Sequence, residues 1–202
     1  MPAIETPLYL LGLIGLAAYL LGSVPFGVVV ARVMGLGDLR SIGSGNIGAT
    51  NVLRTGNRFA AFLTLVLDAG KGSVAVLIAG AALGADAAQV AGLAAFLGHL
   101  YPVFLGLNGG KGVATYLGTL LALSFPVGLA TCLTWLVVAG ATRYSSLAAL
   151  LAAASSPIWA WALGAPTLVA LALVLTALIV WRHRENIARL RAGTESRIGR
   201  KG

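Results

Sequence analysis

The chain has 202 residues, of which 58% are apolar and only 10% charged, with a mean hydropathy of +0.92. A soluble domain carries about 25% charged residues, so this composition excludes a water-covered globule. It equally excludes a disordered chain, and the 27 glycines show no collagen triplet. Fourteen Lys/Arg against six Asp/Glu give a net charge of +8. In a soluble protein that would suggest nucleic acid; in an integral membrane protein the placement of the charges matters more than their sum, and no nucleic-acid partner is expected. The single cysteine, Cys132, lies in an apolar run, which leaves no disulfide framework and no cysteine metal site.

About 20 apolar residues are needed to cross about 30 Å of hydrocarbon. The first run, 8–34, is long enough, and it lacks the basic leader and small-residue cleavage motif of a signal peptide. A polar, glycine-rich loop occupies 35–58. The run 59–83 is interrupted by Asp68 and Lys71, and 87–105 forms a third span that Pro102 closes. The run 113–123 is short and is broken from 127–142 by Ser124-Phe125-Pro126. The runs 147–163 and 166–181, joined at Gly164-Ala165, complete the set. The pattern predicts an all-α polytopic membrane protein, a single domain over 1–202, with about seven transmembrane helices, some short or broken.

With seven crossings, the loops 35–58, 106–112 and 142–146 share a side with the tail 182–202. Every Lys and Arg falls on or near that side, with Lys71 the deep one. The other side receives Glu5, Asp86 and two uncharged turns, and no basic residue. The positive-inside rule then predicts an N-terminus outside and a cytoplasmic C-terminus; an even count would scatter the arginines.

Three polar clusters gather on the basic side. The first contains Gly43, Ser44, Gly45, Asn46, Gly48, Thr50, Asn51 and Arg54. Its glycines permit positive φ and close backbone approach, while short donors and a guanidinium suit phosphate oxygens. A capped glycine turn is the plainer alternative, and the spacing of a nucleotide P-loop is missing. The second is Asn108-Gly109-Gly110-Lys111-Gly112, opening the helix that carries Thr115 and Tyr116. A lysine at a helix N-terminus opposes the macrodipole, and a bound anion would reconcile the two; a snorkelling lysine is the alternative. The third runs from Arg182 to Leu190. On a helix His183, Asn186 and Leu190 share a stripe, and Glu185 pairs with Arg189 at i,i+4; a basic anchor for anionic lipid is the alternative.

Other polar residues point less sharply. Asp68 and Lys71, at i,i+3, neutralise one another by default, although ionisable groups within a span are functional candidates. His99 reads as a hydrogen-bonded core residue, Ser146 as a hydroxyl near the basic face, and Trp159, Trp161 and Trp181 as interfacial anchors. No catalytic triad is available, no metal-ligand spacing occurs, and neither histidine is followed four residues later by aspartate. What remains is a cationic, glycine-lined pocket suited to orientation and charge stabilisation.

The segments 43–54, 109–112 and 182–190, in this order and followed by Gly193 and Glu195, resemble the three motifs of the bacterial PlsY family of acyl-phosphate:glycerol-3-phosphate acyltransferases. The resemblance extends over essentially the whole chain and is most specific in SGNIGATNVLR. It implies transfer of an acyl group from acyl phosphate to the 1-hydroxyl of sn-glycerol 3-phosphate, giving lysophosphatidate and phosphate. It also implies no cofactor and a bacterial inner-membrane location. The implied partners are the two substrates, the bilayer and a soluble acyl-phosphate-producing enzyme. Under it, Arg54 and Lys111 hold phosphate oxygens, with the glycine amides of 43–48 and 109–112 completing the cradles. Ser44, Asn46, Thr50 and Asn51 bond the ligands, and His183 and Asn186 orient glycerol 3-phosphate with help from Ser146. Lys71 is a candidate contributor, and Glu185 supports the third motif. The competing classes are a small-anion transporter, which also uses broken helices, and a structural membrane subunit.

Overall fold

The computed structural model describes residues 2–199. Ten α-helices follow in order: α1 Leu8–Gly22, α2 Phe26–Val33, α3 Ala49–Val52, α4 Arg58–Leu83, α5 Ala85–Leu100, α6 Val113–Leu123, α7 Phe125–Thr142, α8 Ser145–Ala162, α9 Val169–Arg182 and α10 Arg184–Arg191. No strand occurs among the described residues.

Five stretches are long and apolar enough to cross a membrane: Leu8–Val33, Arg58–Leu83, Ala85–Leu105, Phe125–Thr142 and Ser145–Ala162. A sixth, Pro166–Arg182 with Arg184–Arg191, bends by 62° at its break. The seventh apolar helix, α6, has only 11 residues, about 16 Å of rise and so about half a bilayer. The seven apolar segments of the sequence are therefore all helical, but only some are long enough to cross. The first span also carries a break that its apolar run conceals. Pro25 has no N–H to donate and restricts the residue before it, so α1 closes with the Ser23 N–H on Tyr19 O and the chain restarts as α2. Gly84, at φ +99°, makes the turn from α4 to α5.

Helix α4 lies at the centre, against α1, α2, α5 and α6, while α6, α7, α8 and α9 pack in sequence order. Lipid tails are as apolar as leucine, so close backbone approach rather than water exclusion holds such helices together. Small residues supply it here. A Cβ on Gly98 would lie 2.3 Å from Tyr19 O, and one on Gly118 2.1 Å from Ala69 O. Large apolar side chains such as Leu16, Ile78, Val137 and Leu173 point outward, as expected where the solvent is hydrocarbon. At one end of the bundle Asp86 accepts hydrogen bonds from the Glu5 and Thr6 amides (3.0 and 2.8 Å) and from the Thr6 hydroxyl (2.9 Å). At the other end the three polar loops and the tail meet: Arg40 donates to Asn108 O (2.9 Å), Thr50 and Ser145 share a hydrogen bond (3.1 Å), and Arg54 reaches Ser196.

Candidate active site

Asn51 organises the first loop. It is buried, its Nδ2 donates to Leu39 O (2.8 Å), and its Oδ1 accepts from the Ser44 amide (3.1 Å) and Arg54 Nη1 (3.3 Å). Its side chain thus shapes the loop rather than standing free for a ligand. Gly43, at φ +53°, adopts a backbone conformation that strains any other residue, and a Cβ there would sit 2.5 Å from the Arg54 side chain and displace it. Arg54 leaves this loop and spans to the Ser196 hydroxyl on the tail.

The second loop lies on the C-terminal end of α5. The Gly109 and Gly110 amides donate to Leu100 O (3.2 Å) and His99 O (3.1 Å). From the opposite side, Arg182 donates through Nη2 to Gly109 O (2.9 Å) and through Nε to Gly110 O (3.1 Å). These two amides are committed to the fold, which corrects the expectation that all the amides of 109–112 cradle an anion. Helix α5 ends with bare carbonyls, and the glycine loop satisfies them. Glycine is needed for contact as much as for conformation: a Cβ on Gly109 would lie 2.1 Å from His99 O, and one on Gly112, at φ +78°, 2.3 Å from Phe96.

The third cluster straddles the 62° bend. His183 Nδ1 lies 2.8 Å from Ile179 O, an acceptor only, so Nδ1 carries the hydrogen and Nε2 keeps a lone pair. Asn186 Oδ1 accepts from Lys111 Nζ, and its Nδ2 donates to Glu195 Oε1 (2.6 Å). Glu195 also accepts from Ser146 (2.7 Å) and from Arg189 Nε (2.7 Å). Glu185 is exposed and Arg189 pairs with Glu195 instead, so the expected Glu185–Arg189 pair and the supporting role of Glu185 are replaced by Glu195. A carboxylate in a loop beyond a helix can turn inward, whereas position 185 faces away from the packed side of α10.

Burial, followed by the nearby Arg189, lowers Lys111 to about 8. Burial also lowers His183 to about 4, with Lys111 and Arg182 adding to the effect against the Ile179 carbonyl and Glu195. At neutral pH His183 is uncharged. Burial would raise the Glu195 carboxyl, but hydrogen bonds from Asn186, Ser146 and Arg189 outweigh it and hold the group below its ordinary value.

These clusters enclose one end of a cavity of about 640 Å³. Ser44, Asn46, Thr50, Arg54, Lys111, Ser146, His183 and Asn186 line its polar end, with Gly48, Asn51 and Gly112 beside them. Phe62, Leu65, Leu117, Leu121 and Leu136 line its apolar end, between α4, α6 and α7. Gly43, Gly45, Gly109 and Gly110, expected at the site, are not among the residues that line the cavity. Lys71 does not reach the cavity: it is 3% exposed, 2.9 Å from Asp68 Oδ1, and donates to Val24 O (2.9 Å). The Val24 carbonyl, freed by the break before Pro25, holds the ammonium away from the cavity, and Pro25 within the apolar run was the available signal of that break. Residue-by-residue reading also missed Ser196 and the carboxylate of Glu195 on this wall; a lone acid between Arg191 and Arg197 was the available signal. Among the described residues no group of three or more His, Cys, Asp or Glu could hold a metal ion.

The sequence model of the family described as glycerol-3-phosphate acyltransferase matches residues 12–193. A glycerol-3-phosphate acyltransferase of Jannaschia sp. is 65% identical over 199 residues, 98% of each chain. Another, from Cereibacter sphaeroides, is 65% identical over 201 residues, covering 100% of this chain and 96% of the relative. Among solved structures, the integral membrane glycerol 3-phosphate acyltransferase PlsY in its glycerol 3-phosphate form superposes with a TM-score of 0.88 at 45% identity, over 94% of this chain and 96% of that one. Its lysophosphatidic acid form gives 0.85 at 42% identity, over 94% and 95%. Seven apolar helices, three polar segments converging on one cavity, and relatives that match it end to end place this chain in the glycerol-3-phosphate acyltransferase family.

Proposed function

We propose that this chain transfers a fatty acyl group from acyl phosphate to the 1-hydroxyl of sn-glycerol 3-phosphate, releasing lysophosphatidate and inorganic phosphate. The observation that carries the reading is the two-part cavity, cationic and hydrogen-bonding at one end and apolar at the other. Such a shape fits a molecule with a phosphorylated head and a hydrocarbon tail. In this reading the acyl chain lies between α4, α6 and α7, and Arg54 and Lys111 hold phosphate oxygens. Ser44, Asn46 and Thr50 add hydrogen bonds, while His183 and Asn186 orient glycerol 3-phosphate.

The chemistry needs no enzyme nucleophile, because the mixed anhydride already has a good leaving group. The acceptor oxygen adds to the acyl carbon, the carbon–oxygen bond to phosphate breaks, and the hydroxyl proton ends on the released phosphate. His183 Nε2, a neutral acceptor, receives the hydroxyl hydrogen bond and fixes its direction. A group that releases its proton near pH 4 stores one poorly at neutral pH, so a phosphate oxygen is the proton's destination. The purified protein in detergent, given acyl phosphate and labelled glycerol 3-phosphate, is expected to make labelled lysophosphatidate. A small-anion transporter would make none and would act only in sealed vesicles.

The charge on Lys111 sets the alkaline limb. Its cationic form binds the phosphate, and that form is lost as pH rises through about 8. kcat/KM reports the free enzyme, so it is expected to fall about tenfold per pH unit above this value, and Lys111→Arg to remove the limb because arginine stays charged. A profile in the unsubstituted enzyme that stays flat to pH 9.5 would contradict the assignment.

The basic end carries the loops 35–58, 106–112 and 142–146 and the tail. In our reading this end faces the cytoplasm of a bacterial cell, where a soluble acyl-phosphate-producing enzyme can deliver its product, and the N-terminus lies outside. Impermeant thiol labelling of single cysteines at positions 56 and 84 in intact cells is expected to modify only the second.

A further inference from the structure

Outside the three motifs lies a buried polar group that the proposed chemistry does not use. Asp68 and Lys71 on α4, His99 on α5 and Thr115 on α6 are at most 4% exposed. The Thr115 hydroxyl donates to Asp68 O (2.8 Å), so toward His99 Nδ1, 3.3 Å away, its oxygen accepts. The Asp68 carboxylate, 3.6 Å from the same nitrogen, is also an acceptor. Both neighbours of Nδ1 accept, so Nδ1 carries the hydrogen and the ring is held in one orientation. Lys71 pairs with the same carboxylate oxygen, Asp68 Oδ1 (2.9 Å), and is itself tied to Val24 O.

What this orientation presents is the opposite edge of the imidazole, and that edge meets the second loop. A Cβ on Gly110 would lie 2.3 Å from His99 Nε2, 3.2 Å from Cδ2 and 3.3 Å from Cε1, its three nearest neighbours. Gly110 is not in the left-handed backbone region, so the imidazole is what excludes a side chain there. The next residue is Lys111, whose Nζ donates to Asn186 in the cavity. Buried charged networks cost desolvation and are kept where they secure a geometry, and a site needs its contact residues held by a supporting shell.

We infer that His99, oriented by Asp68, Lys71 and Thr115, is a positioning residue that sets the height of the Gly109–Gly110 backbone and so the place of Lys111 over the substrate phosphate. The inference rests on the reading of Lys111 as a phosphate holder. It ties the buried Asp68–Lys71 pair to the active site through the imidazole, and both Asp68 and His99 lie on the wall of the same cavity.

The test is a size exchange. His99→Asn keeps a donor near the Nδ1 position, facing Asp68 and Thr115, and deletes the edge that faces Gly110. The variant is expected to fold, with an unfolding midpoint near that of the unsubstituted protein. It is expected to raise the KM of the substrate that Lys111 holds by about tenfold while kcat changes less than about threefold, the size of a contact-level coupling. That substrate is identified by which KM rises in Lys111→Arg. Gly110→Ala alone should lose activity through its collision with the ring, and the double variant His99→Asn/Gly110→Ala should recover at least about tenfold over Gly110→Ala, since a direct contact is non-additive. Unchanged KM values in His99→Asn, a rise confined to the other substrate, or a double variant no better than Gly110→Ala would each overturn the inference. Full activity in Lys111→Ala would instead overturn the reading beneath it, so the two failures are distinguishable.

Discussion

Replacing Lys111 with alanine is expected to lower kcat/KM by about 30- to 900-fold, which is the loss of about 2–4 kcal/mol of transition-state stabilisation for one preorganised donor. Its ammonium is partly buried, is held by Asn186 and lies in the cationic end of the cavity. Charge there acts at a low effective dielectric, where its pull on a departing phosphate exceeds what it would be in water. Arg54→Ala should lose a similar factor, because Arg54 lines the same cavity and bridges Asn51 to Ser196 there. The two losses should combine non-additively if both groups hold one phosphate, and additively if each holds its own. Steady-state kinetics of the two single variants and the double variant in detergent check this. Near-full kcat/KM in either folded single variant would remove that residue from the site.

Loss of the Glu195 carboxylate should be about as damaging to turnover and should also destabilise the fold. This one side chain, 6% exposed, accepts from Ser146, Asn186 and Arg189. Glu195→Ala leaves desolvated donors unmatched, at a cost of about 1–3 kcal/mol, and thermal unfolding should fall by about 3–10 °C. It also frees Asn186, which positions Lys111, so activity should drop along with stability. Glu195→Gln retains an acceptor oxygen for Ser146 and Asn186 but turns an amide toward Arg189, and should be intermediate in both measurements. Glu185→Ala, on the exposed face of α10, should change neither by more than about 0.5 kcal/mol. If Glu185→Ala proves the more damaging, the structural assignment of the two carboxylates is wrong.

The two histidines show how far sequence reading reached. His183 was recognisable as a site residue because it follows directly on an apolar span and shares a helical stripe with Asn186. His99 has no such neighbours in the sequence and read only as a core histidine. Its location at 4% exposure bears that out, yet the same burial puts its ring under Gly110, 11 residues further along the chain. Whether Lys71 reaches the site is not legible in the sequence, because the direction of a buried lysine depends on which carbonyl is free, and that carbonyl belongs to Val24 in the break between α1 and α2. The glycines of the second loop are conspicuous in the sequence, but their task is not legible there. The loop's anion-cradle reading was only partly apt, since two of its amides are committed to α5.

By itself the sequence determined the solvent of this protein, the seven apolar segments that become helical and the gathering of basic residues at one end of them. These follow from composition and local periodicity, and hydrocarbon forces every backbone polar group into such helices. It also marked out the polar segments whose motifs resemble a known family. Only the tertiary structure decided which polar groups face the cavity and which are tied up in holding it, and which of two carboxylates turns inward. Those outcomes depend on contacts between residues as far apart as Lys71 and Val24, Arg54 and Ser196, or Ser146 and Glu195. A hydrogen bond across such separations leaves no periodic trace in the chain that makes it.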